Sequence, residues 1–116
     1  MAIVNVLAVV PVAEFEIAKA WYGRLFEREA DYAPMEGLAE WHFTETSGVQ
    51  IVKDPVRAGR SMLTVVVDDL DAQVAKLREI GLDPRGLDTD PIMARIAMVD
   101  DPEGNQITFA QPLGEN

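Results

Sequence analysis

The sequence predicts an α+β domain made of two βαβββ modules in succession. Three observations carry that prediction. The apolar pattern switches from strand-like to helical spacing twice, near Glu14 and again near Asp69. The two halves superimpose at an offset of 55 residues, which lays Val10 on Val65, Val12 on Val67, Phe15 on Leu70 and Leu25 on Ile80. The run from Arg95 to Pro112 holds two short apolar stretches around Asp101-Pro102-Glu103-Gly104-Asn105. There Pro102 pre-sets φ, and Gly104 is free to take the left-handed conformation that closes a hairpin.

The elements follow in order. Ile3 to Val10 is almost continuously apolar and reads as a strand buried on both faces, with Pro11 ending its ladder. Phe15, Ala18, Tyr22 and Leu25 recur at helical spacing, which places a helix at about Glu14 to Phe26. Ala30 to Met35 suits a short edge strand. Leu38 to Thr44 alternates, with Glu40, His42 and Thr44 on one side and Trp41 and Phe43 on the other. Ser47-Gly48 reads as a turn and Val49 to Lys53 as the next strand. The loop-like stretch from Asp54 to Arg60 separates module one, about 1–54, from module two, about 60–112. Ser61 to Val67 is a second buried strand. Asp68 or Asp69 caps the second helix, whose inner stripe is Leu70, Val74, Leu77 and Ile80, and Gly81 stops it. Leu82 to Asp90 is a ragged strand plus loop, and Met93 to Asp100 pairs with Gln106 to Gln111 as the closing hairpin.

A chain of 116 residues with 48% hydrophobic residues suits one domain with a filled core. The absence of cysteine excludes disulfides, thiolate metal sites and a cysteine nucleophile. A net charge of −10 excludes nucleic acid as a partner, since no basic stripe offsets the repulsion. The same acidity favours solubility and attracts cationic ligands. The apolar start, Ile3 to Val12, is short and has no Lys or Arg before it, so a strand explains it better than a leader peptide. No run is long enough to cross a membrane, and a cytoplasmic location is expected by default.

A doubled βαβββ module is the architecture of the vicinal-oxygen-chelate superfamily, which holds glyoxalase I, extradiol dioxygenases and bleomycin-resistance proteins. Ala20-Trp21-Tyr22-Gly23-Arg24-Leu25-Phe26 resembles that superfamily's first helix, and Val67-Asp68-Asp69-Leu70-Asp71-Ala72 resembles the entry to its second. Asp-Pro-Glu-Gly-Asn resembles its closing turn. The resemblance spans nearly the whole chain. It implies a curved mixed sheet with a concave cleft, and commonly a homodimer.

Enzymes of the superfamily hold a divalent metal on the concave face through histidines and glutamates. The resemblance places Leu7, Gln50, Met62 and Thr108 at those positions. Leu and Met cannot ligate a hard cation, and one amide with one hydroxyl is too few donors. No metal or other cofactor is therefore expected, and no catalytic residue is assigned. The only histidine, His42, reads as a half-exposed strand residue, and Glu40 and Glu45 as solvated strand ends. Trp41 and Phe43 are candidate walls for a flat ligand, and Arg95 a candidate charged contact. The reading that follows is a metal-free, bleomycin-resistance-like binding protein that sequesters a small, cationic aromatic molecule. The alternatives are a metal-dependent lyase, isomerase or dioxygenase with displaced ligands, and a non-catalytic protein with a filled cleft and a partner surface.

Overall fold

Seven strands and two helices follow one another as β1 (Val6–Val12), α1 (Phe15–Leu25), β2 (Tyr32–Met35), β3 (Leu38–Thr44), β4 (Ser47–Lys53), β5 (Met62–Val66), α2 (Leu70–Glu79), β6 (Ala94–Asp100) and β7 (Gln106–Pro112) in a computed structural model that describes residues 1–87 and 93–113. They form two sheets, ordered β1-β4-β3-β2 and β5-β7-β6. In each, the strand that opens the module pairs parallel with the strand that closes it. The ragged strand of the second half shrinks to one bridge, Arg85 to Met98; the rest of that stretch, from 88, lies outside the described residues.

Each sheet buries one face under its own helix. In the first, Ala8, Val10, Val12, Ala39, Trp41, Val49 and Ile51 meet Phe15, Ala18, Trp21, Tyr22 and Leu25. In the second, Leu63, Val65, Ala97, Val99, Ile107 and Phe109 meet Leu70, Val74 and Leu77. The opposite faces stay open. The continuous apolar run of the first strand therefore alternates after all: Val10 and Val12 are buried, whereas Val9 is half exposed. Val4 and Val6, within the stretch expected to be buried on both faces, are also exposed, because the strand begins only at Val6, where its partner begins at Ser47. Pro11 does not end the strand. It pairs with Val52 on an edge strand, where a missing N–H is tolerated. Ser47 and Gly48 belong to β4, and the turn falls at Glu45-Thr46.

Hydrogen bonds from the closing turn join the halves. The Glu103 carboxylate accepts from the N–H groups of Ala13 and Glu14 at 2.6 and 2.9 Å. The Tyr22 hydroxyl donates to Asp101 at 2.8 Å, and the Asn105 amide donates to the Pro11 carbonyl at 3.1 Å. Burial, and then the Asp101 carboxylate, push the Tyr22 hydroxyl far above the ordinary tyrosine range, so it stays a donor. Gly104 has φ 97°, as the turn requires.

Candidate functional site

Strand alternation puts Leu7, Val9 and Pro11 of β1 on the face away from α1. Gly48, Gln50 and Val52 of β4 join them, with Leu38, Glu40 and His42 of β3. Met62, Thr64, Val66, Gln106, Thr108 and Ala110 form the matching face of the second sheet. So Leu7, Gln50, Met62 and Thr108 all lie on the faces that no helix covers. Their donors amount to one amide and one hydroxyl, which does not fit a divalent metal held at these positions. Among the described residues no three His, Asp or Glu side chains gather to hold one elsewhere.

Three other candidates lie on the helix side. Trp41 is wholly buried, edge-on to Phe26, and its indole N–H donates to the Arg28 carbonyl at 3.0 Å. It is core and not a wall of the open face, because a ring of that area is better covered by α1 than left on an exposed sheet. Phe43 follows it, packed on Phe26 beneath the Arg28 guanidinium. Its exposed part lines a groove of about 400 Å³ between the sheets, with Val6, Ala8, Val49, Leu63 and Val65. Arg95 reaches Asp71 of α2 at 2.6 Å. That pairing raises the guanidinium's pKa, holds the Asp71 carboxyl below its usual range, and takes Arg95 off the open face.

The open face of the first sheet holds a cluster of which only Gln50 was among the candidates named from sequence. Glu40 is buried, not solvated. One of its oxygens accepts from His42 Nε2 at 3.0 Å and the other from Gln50 Nε2 at 2.9 Å. An ionised carboxylate only accepts, so both partners donate to it. Alternation alone put Glu40 and His42 on one side; the β3–β4 register then sets Glu40 opposite Gln50. Beside the cluster is a depression of about 650 Å³ lined by Met35, Leu38, Gln50, Val52 and Lys53. At the sheet edge the His42 N–H donates to Asp31 at 2.7 Å. That bond, helped by the Arg28 charge, holds the Asp31 carboxyl below its usual range.

The glyoxalase-like domain family matches residues 7–110. The chain belongs to that family. Its fold is that of the vicinal-oxygen-chelate superfamily, as solved structures of related proteins attest. The chain is similar to a glyoxalase / bleomycin resistance protein from Catenulispora acidiphila, at 34% identity and a TM-score of 0.85, over 93% of this chain and 97% of that one. It is similar to TnmS3, an antibiotic binding protein from Streptomyces sp. CB03234, at 30% identity and a TM-score of 0.80, over 97% and 98%. A lactoylglutathione lyase from Agrobacterium tumefaciens shares the fold at 14% identity and a TM-score of 0.74, over 90% of each chain. No curated protein sequence matches the chain. No helix among the described residues is long and apolar enough to cross a membrane.

Proposed function

We propose that this glyoxalase-like protein binds and sequesters a small cationic aromatic molecule, of the antibiotic type, without metal and without chemistry, as a cytoplasmic homodimer. The observation that carries the reading is the makeup of the open faces. They are apolar at Leu7, Val9, Met62 and Val66, polar at Gln50 and Thr108, and poor in metal donors. A ligand pocket has this lining. The similarity to an antibiotic binding protein supports the same class of ligand. The charge of −10 would draw a cation in.

The open faces of the two sheets expose Val9, Met62 and Val66, apolar surface of the kind that a partner subunit covers. A second copy facing the open sheets would both cover that surface and wall the cleft.

Titration calorimetry with bleomycin-type and other cationic aromatic drugs tests the reading, at low and high salt. Saturable binding that weakens with salt is the expected result. Near-stoichiometric zinc, nickel, iron or manganese in untagged protein, with a lyase or dioxygenase activity lost on chelation, would overturn it. Absence of saturable binding at either salt would transfer the weight to a partner surface.

A further inference from the structure

We infer that the outer face of α1 is a contact surface for a second copy of this chain, forming an antiparallel helix pair centred on Ala20. This surface stands apart from the open sheet faces and from the ligand they would bind.

α1 buries Phe15, Ala18, Trp21, Tyr22 and Leu25 against its sheet. Of the large apolar side chains on either helix, Ile17 alone is left exposed, at 60%. The same outer surface carries a groove of about 460 Å³, lined by the small residues Ala20, Gly23 and Ala30 with Glu16, Lys19 and Arg24. Gly23 is the informative member. Inside a helix, glycine is less stable than alanine. The chain's own packing does not require it, since a Cβ there would first meet the Arg28 carbonyl at an ordinary 3.5 Å. A missing side chain at such a place lets another backbone come close.

The face is also self-complementary. In an antiparallel pair, residues equally far on either side of Ala20 share a level. Glu16 then meets Arg24 of the second copy, Ile17 meets Gly23, and Ala20 meets Ala20. Opposite charges face each other twice, the large side chain faces the absent one, and the axes can approach to about 8 Å. Among the described residues neither Glu16 nor Arg24 has an ion-pair partner in its own chain. The outer charges of α2 are already committed, Asp71 to Arg95 and Lys76 to Glu27. The 11 residues of α1 span only about 16 Å, so the contact is small and of the transient class.

The test is sedimentation equilibrium of the full chain over a wide range of concentration, at low salt. The average mass of the wild type should rise with concentration. Glu16→Arg and Arg24→Glu each set like charges face to face and should weaken association by about tenfold or more. The double variant Glu16→Arg/Arg24→Glu re-forms both pairs and should recover it. Gly23→Leu fills the level kept for Ile17 and should weaken association too, with its thermal midpoint held or raised by the better helix former. Thermal midpoints check that every variant is folded. Single variants that associate like the wild type, or a double variant no better than the singles, overturn the helix pair. So does a wild type that stays monomeric throughout. Association lost in Met62→Asp and unchanged in Glu16→Arg would place the contact on the open sheet faces, which overturns this inference and spares the binding reading.

Discussion

In the first half of the molecule a helix rests on a layer of rings; in the second it rests on aliphatic side chains and one ring, Phe109. Trp21, Tyr22, Phe26 and Trp41 form a run of ring contacts between α1 and its sheet, edge to face except for the tilted pair of Tyr22 and Phe26. Val99 occupies the place in β6 that Trp41 has in β3, since Trp41 faces Val49 and Val99 faces Ile107 in their pairings. The helix starts differ as well. Asp69 caps α2 locally, its carboxylate accepting from the Ala72 N–H at 3.1 Å. Glu14 makes no such bond, and the start of α1 depends instead on Glu103, which belongs to the other half. The open faces diverge most. Glu40, His42 and Gln50 correspond to Met98, Asp100 and Thr108. The duplicated scaffold thus preserved the strand pairings and freed the uncovered side chains to differ.

Breaking the comparison in the core should give the largest effect. Trp41→Ala should cost about 3–5 kcal/mol in urea unfolding, and Val99→Ala at the matching place ~2 kcal/mol. Equal losses would mean that the ring layer carries no extra stability. Next comes the bond between the halves. Tyr22→Phe should cost about 1–3 kcal/mol, because it leaves the buried Asp101 carboxylate short of a donor. Gly104→Val should cost on the order of 1–3 kcal/mol through its φ alone, since an added Cβ would meet the Gly59 carbonyl only at an ordinary 3.6 Å. An unchanged midpoint in either variant would separate the turn from the stability of the first helix.

The smallest effects should come from the exposed acids, one in each half. Asp31 and Asp71 have carboxyl pKa values lowered in the fold, the first mainly by the His42 N–H and the second by Arg95. A lowered folded pKa adds stability above the unfolded value, about 4, and that gain is lost as pH falls through the folded value. Asp31→Asn and Asp71→Asn should therefore lower the thermal midpoint slightly at neutral pH and match the wild type in strong acid. A deficit that persists at low pH would mean that the side chains matter for reasons other than charge.

Most of the fold was legible, because periodicity and turn chemistry are local. The helices, the Asp69 cap and the Gly104 turn all follow from near neighbours in the chain. The site was less legible, because it depends on register. A turn centred on Ser47-Gly48 would put Gln50 opposite Glu45; the turn at Glu45-Thr46, with a register shift between His42 and Thr44, puts it opposite Glu40. Moving that turn by two residues carries the buried carboxylate into or out of the cluster. Trp41 and Arg95 went astray for another reason. Large rings and charges suggest ligand contacts, whereas here one fills the helix layer and the other has a partner on α2.

The closing turn also has a consequence for how the chain is made. Ala13 and Glu103 are separated by 90 residues, so the carboxylate that completes the first helix's start is synthesised long after the N–H groups it bonds. At about 5–20 residues per second, the first module waits roughly 5–20 s on the ribosome with those N–H groups bonded only to water. Its sheet and ring layer can collapse in that interval, but Tyr22 has no Asp101 to bond. The emerging half is then a sticky, incomplete body, and emergence of the closing turn is the event that seals it. Ribosome-bound chains stalled before Asp101 should be cut by protease within α1, and chains stalled well after Asn105 should resist.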